Sequence, residues 1–62
     1  MAFLTDYTQG QWASEVSTLG WQLSARVRNV STGKVVNRYT GEMAWSDAQR
    51  QVNDLAMKDV FS

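Results

Sequence analysis

The sequence contains no cysteine, no histidine and no proline, and only four glycines in 62 residues. Without cysteine there is no disulfide and no thiolate nucleophile, and without histidine as well a structural zinc site lacks its ordinary ligands. The missing histidine also removes the commonest general base near neutral pH. Serines occur, but not in G-x-S-x-G, and no triad can be assembled around them. The glycines form neither G-x-G-x-x-G nor G-x-x-x-x-G-K-[ST], so no phosphate-cradling loop is encoded. The six carboxylates have no motif around them and read as scattered surface charge. These absences point away from an enzyme and assign neither a cofactor nor a metal.

Long hydrophobic runs are missing too. Nothing approaches the roughly 18 apolar residues of a membrane helix, and MAFLTDYTQG has neither the basic start nor the apolar core of a signal peptide. A soluble, cytoplasmic chain is expected, with no membrane partner. At this length one domain, 1–62, is expected, and such a chain buries only about 60% of the surface its unfolded form exposes. A core this small rarely supplies more than about 3–5 kcal/mol of net stability. Apolar content of 44%, with three tryptophans, still argues for a folded domain. Since disulfide and zinc staples are excluded, self-association is the remaining source of stability, and a homodimer is one expectation.

The net charge is zero, but its distribution is uneven. Residues 1–19 carry Asp6 and Glu15 and no base; residues 20–41 carry Arg26, Arg28, Lys34 and Arg38 and no acid. The remainder carries Glu42, Asp47, Asp54 and Asp59 against Arg50 and Lys58. A basic centre between acidic ends is a statement about partners rather than about fold.

Along the chain, residues 1–10 read as an irregular lead-in that docks Phe3 or Tyr7 onto the core, because Thr5, Asp6, Thr8, Gln9 and Gly10 interrupt any longer element. Residues 11–18 fit a strand with Trp12, Ser14 and Val16 on one side and Ala13 and Glu15 on the other. The i, i+4, i+7 spacing of Trp12, Val16 and Leu19 also fits a helix. Leu19-Gly20 closes a turn. Residues 21–30 alternate cleanly: Trp21, Leu23, Ala25 and Val27 against Gln22, Ser24, Arg26 and Arg28.

Ser31-Thr32-Gly33 reads as a three-residue loop with Gly33 in the left-handed region as a bulge. It pairs Val30 with Lys34, Arg28 with Val36 and Arg26 with Arg38. That register sets Arg26, Arg28, Lys34 and Arg38 on one face, away from Leu23, Ala25, Val27, Val35 and Tyr39. A two-residue turn at Thr32-Gly33 would break the grouping, but threonine is a poor first residue for one. Placing Arg26 opposite Arg38 carries an electrostatic cost. Such a cost is tolerated if the positive face serves a partner; equally, arginine stems can simply cover a sheet and reach solvent.

Gly41 marks a bulge or bend, and Met43 and Trp45 are expected to close the core where sheet meets helix. Residues 46–61 read as a helix: Ser46 and Gln49 form a capping box, and Asp47 and Lys58 suit the two ends of the dipole. Ala48, Val52, Leu55, Ala56 and Val60 make the apolar stripe. The expected fold is α+β, a three-stranded antiparallel meander packed against one C-terminal helix (β-β-β-α).

Binding is what this chemistry leaves. A three-stranded sheet followed by a helix resembles the small DNA-binding modules of the integrase-arm and plant AP2 type, with Trp21, Gly33 and Ala48 fitting that outline over residues 21–60; the resemblance implies a sheet that contacts DNA. A pI of about 6 departs from the basic footprint such domains carry.

A second resemblance lies in the hairpin. Ala25, Arg26, Val27, Asn29, Val30, Gly33, Lys34 and Val36 form an A-R-V-x-N-V-x-x-G-K-x-V run preceded by Gly20, and this run resembles the central hairpin of small phage-encoded anti-CRISPR proteins that inhibit the type I-F surveillance complex. It covers about a quarter of the chain. The resemblance implies an antiparallel sheet with helical cover that binds a CRISPR effector complex, a ribonucleoprotein of the host, and prevents target DNA from hybridising, without catalysis. It carries over Arg26, Arg28 and Lys34 as contact residues; the shared face adds Arg38. If the chain is a phage product, its compartment is the host cytoplasm.

Overall fold

A computed structural model of the chain describes residues 3–19 and 22–61. Four strands and one helix follow in order: β1 (Leu4–Gln9), β2 (Trp12–Leu19), β3 (Gln22–Asn29), β4 (Lys34–Thr40) and α1 (Ala44–Phe61). The strands form an antiparallel meander in the order β1-β2-β3-β4, with α1 across one face. The sheet therefore has four strands, not the three expected from the sequence; the antiparallel α+β class and the single C-terminal helix stand.

The additional strand is β1, and two features conceal it in the sequence. Its register against β2 shifts between Thr5 and Tyr7, so Asp6 is an extra residue that breaks the period of two. Gly10 does not merely interrupt the segment. With φ +62° it takes the first central position of a two-residue turn that joins β1 to β2. Tyr7 docks on the core as expected, while Phe3 goes to the other side of the sheet. The strand reading of 11–18 holds over Trp12–Leu19 and the helical alternative falls. The expected turn at Gly20 and strand start at Trp21 lie outside the described residues.

Opposed residues of an antiparallel ladder share a face, so the register sorts the side chains into rows. Under the helix run Leu4–Val16–Ala25–Tyr39, Tyr7–Ser14–Val27–Asn37 and Gln9–Trp12–Asn29–Lys34. The core lies where the middle of this surface meets α1: Ala25, Val27, Ala44, Ala48 and Val52, with Tyr7, Trp12, Val16, Leu23, Tyr39 and Leu55 packed around them. Alanines at 44 and 48 let the helix approach closely. Side-chain hydrogen bonds fasten its flanks, from Gln49 Nε2 to Asp6 (2.8 Å) and Tyr7 OH to Asn53 (2.6 Å) on β1, and from Tyr39 OH to Gln51 (2.7 Å) on β4. At the far end Asp59 accepts from Gln11 Nε2 at 2.8 Å and Trp12 Nε1 at 2.7 Å.

The helix starts three residues earlier than its capping signal implies. Asp47 N donates to Met43 O at 2.9 Å, so Met43 ends the non-helical chain and Ser46 sits inside the first turn rather than capping it. The earlier start follows from Gly41, which bends the chain at φ +101° while its N–H still donates to Leu23 O, so the reversal is complete before residue 44. Ala44 consequently takes the core position. Met43 and Trp45, expected there, are exposed at 60% and 47%.

Candidate binding face

The face of the sheet opposite α1 holds two long rows. Thr5–Glu15–Arg26–Arg38 crosses all four strands, and Thr8–Ala13–Arg28–Val35 runs beside it. Arg26, Arg28 and Arg38 thus share one face, as the alternation in β3 requires, and no helix covers it.

Lys34 does not join them. The β3–β4 loop has four residues, Val30 to Gly33, rather than three, because Asn29 caps it. Asn29 Oδ1 accepts from Ser31 N (2.9 Å) and Thr32 N (3.2 Å), and Asn29 O accepts from Gly33 N (2.7 Å). Gly33 is left-handed as expected, with φ +76°. The longer loop pairs Lys34 with Asn29 and Val35 with Arg28; Val36 is then an extra residue, and the expected pairing of Arg26 with Arg38 is recovered beyond it. Lys34 therefore falls in the row on the helix side, and Val35 exchanges sides in the opposite sense.

The guanidiniums are not free charges. Glu15, on the neighbouring strand, places Oε1 2.6 Å from Arg26 Nε and 3.3 Å from Arg28 Nε. The side chains are largely enclosed, at 15% exposure for Glu15 and 21% and 33% for the two arginines. The Phe3 ring lies over the Arg26 guanidinium, 4.0 Å from its Cζ to the ring centroid, adding a cation–π contact. Arg26 is thus held between Glu15, Phe3 and Arg38. This resolves the cost of opposing Arg26 with Arg38, since the carboxylate on the other side of Arg26 offsets the repulsion. Arg38 has no carboxylate opposite it and is exposed.

Glu15 and Phe3 are the two site residues the sequence reading missed. A signal for Glu15 was present: the alternation of β2 already set it on the side away from Trp12, and pairing of Leu19 with Gln22 brings it opposite Arg26. For Phe3 there was none, because its side of the sheet depends on the Asp6 bulge.

The face can present a small cationic surface of three guanidiniums around one part-buried carboxylate. The described residues contain no cluster of three or more side chains able to hold a metal. None of the described helices is long and apolar enough to cross a membrane. No family model, no curated protein and no solved structure matches the chain.

Proposed function

We propose that this chain is a small non-enzymatic inhibitor that binds a CRISPR effector complex and blocks its recognition of target DNA, with the open face of the sheet as the contact surface. The observation that carries the reading is the arrangement of Arg26, Arg28 and Arg38 on a face left clear of the helix. That face is built from the hairpin run that resembles the type I-F inhibitors. Glu15 and Phe3 hold Arg26 in place before any partner arrives, so less side-chain freedom is lost on binding. Arg38 supplies the exposed charge.

A nucleic-acid reading draws on the same arginines, and Glu15 weighs against it. Two of the three guanidiniums already have a carboxylate, and three phosphate contacts at most give a salt slope of about −3, well short of the 6–10 contacts of a dedicated binder. The test is binding of wild type and Arg38→Glu to a purified type I-F surveillance complex and to free duplex DNA. Capture of the complex by wild type, its loss in the variant, and little affinity for duplex are expected. Affinity for duplex alone, falling with salt, would overturn the reading.

A further inference from the structure

Several large apolar side chains lie on the surface. Among the described residues the fully enclosed side chains are no bigger than valine, while Leu4, Trp45, Met57, Val60 and Phe61 stand 47–80% exposed. Several of these gather on one long side. Trp45, Gln49, Asn53, Ala56 and Val60 recur at spacings of four and three and so form one stripe of the helix. Gln49 and Asn53 bond to Asp6 and Tyr7, which places that stripe along β1. At its far end a groove of about 630 Å³ opens between the Gln9–Gly10–Gln11 turn and Ala56, Met57, Val60 and Phe61 of the helix, with Asp59, which accepts from Gln11 and Trp12, in its wall.

The two edges of the sheet differ sharply in charge. The β4 side carries Lys34 and Arg38 on the strand and Asp47 and Asp54 on the adjoining helix flank, close enough that both carboxylates act on Tyr39. Such charges guard an edge against association. Along β1 the helix stripe has no charged residue, and the strand has only Asp6, which already accepts from Gln49. Charge depletion around an aromatic anchor is the composition of an interface core.

We propose that the β1 side, with the helix stripe from Trp45 to Val60, is the interface of a two-fold homodimer in which Trp45 of each copy seats in the groove of the other. The geometry favours a second copy over an unrelated partner because the surface is self-complementary. Its apolar anchor is at one end, its apolar groove at the other, and its neutral hydrogen-bonded residues are between. The midpoint of β1 falls at Asp6–Tyr7, and the helix residues bonded to that pair, Gln49 and Asn53, bracket the middle of the stripe. One two-fold axis through that level therefore serves both elements and brings Trp45 opposite Val60 of the second copy. With molecular extents of 39 × 20 × 15 Å, a long side approaches the ~800 Å² per partner of a standard interface when most of it is covered. The bulge at Asp6 limits open-ended growth of the sheet, so a closed dimer forms rather than a fibre. The surface is separate from the arginine face.

The absence of cysteine makes the test clean. In the doubly substituted chain Trp45→Cys, Val60→Cys, the two thiols of one copy are about 22 Å apart along the helix, too far to bridge within a chain, since a disulfide needs Cα atoms within about 7 Å. Mild oxidation is expected to give a covalent dimer, and Arg38→Cys on the opposite edge none. Wild type is expected to sediment as a dimer at micromolar concentration, and Val60→Asp as a folded monomer by circular dichroism. A monomeric wild type, or a Val60→Asp variant that remains dimeric, would overturn the proposal, as would cross-linking through Arg38→Cys in place of the Trp45–Val60 pair. Loss of effector binding in Arg38→Glu without change in sedimentation keeps the two surfaces distinguishable.

Discussion

Glu15 Oε1 lies 2.6 Å from Arg26 Nε across the β2–β3 ladder, and the same oxygen is 3.3 Å from Arg28 Nε. One carboxylate therefore neutralises the centre of a face that carries three arginines. Its removal leaves Arg26 facing Arg38 with only the Phe3 ring as a favourable contact. Glu15→Gln is expected to lower stability by about 1–2 kcal/mol, between the values for exposed and buried ion pairs. Urea denaturation checks this, and added salt should recover part of the loss by screening the arginines.

The core is thin, so single methyl groups matter. Val27 and Val52 are fully buried where the middle row of the sheet meets α1. Val52→Ala is expected to cost about 2 kcal/mol from lost burial and the cavity left behind. Against the ~3–5 kcal/mol of a domain this size, that leaves a measurable unfolded fraction. A thermal melt with unchanged midpoint would contradict the placement of the core.

Ser14 sits in the same row, fully buried, and its hydroxyl has no hydrogen-bond partner among the described residues. An unpaired buried hydroxyl destabilises a fold by about 1–3 kcal/mol. Ser14→Ala should therefore raise the unfolding midpoint, although it shortens a buried side chain.

Tyr39 gives the fold a pH dependence at the alkaline end. Burial, and then the nearby carboxylates of Asp47 and Asp54, push its phenol above the ordinary value of 10.0, because all three disfavour the phenolate. The folded state thus holds the proton more tightly than the unfolded state. The resulting stability is fully present below the ordinary value and is lost as pH rises through the raised one. An ultraviolet titration of wild type minus Tyr39→Phe should show this late ionisation step. Loss of stability on the alkaline side should be shallower in the variant.

β2, β3 and the body of the helix were legible because each carries an uninterrupted period: two in Trp12–Leu19 and Gln22–Asn29, and the 48-52-55 spacing in α1. What escaped lies where an extra residue breaks a period. Asp6 conceals β1, and Val36 together with the Asn29-capped loop moves Lys34 off the arginine face. The Ser46–Gln49 box was a valid local signal overridden by the bend at Gly41, which starts the helix at Ala44. Glu15 was missed because the basic centre was counted along the chain, whereas its counter-charge comes from the neighbouring strand. This matters for choosing probes: Arg26 is held by Glu15 and Phe3, so Arg26→Glu would strain the sheet itself.

Arg38 is the better probe, being exposed and opposite no carboxylate, and replacing it with Glu is expected to leave the fold intact. The decisive measurement is the affinity of wild type and Arg38→Glu for a purified type I-F surveillance complex, with circular dichroism confirming that both are folded. Tight binding by wild type and a loss of tenfold or more in the variant, about 1.4 kcal/mol, is the expected result. Equal binding by the two proteins, or no binding by wild type, would contradict the assignment of this face to the effector complex.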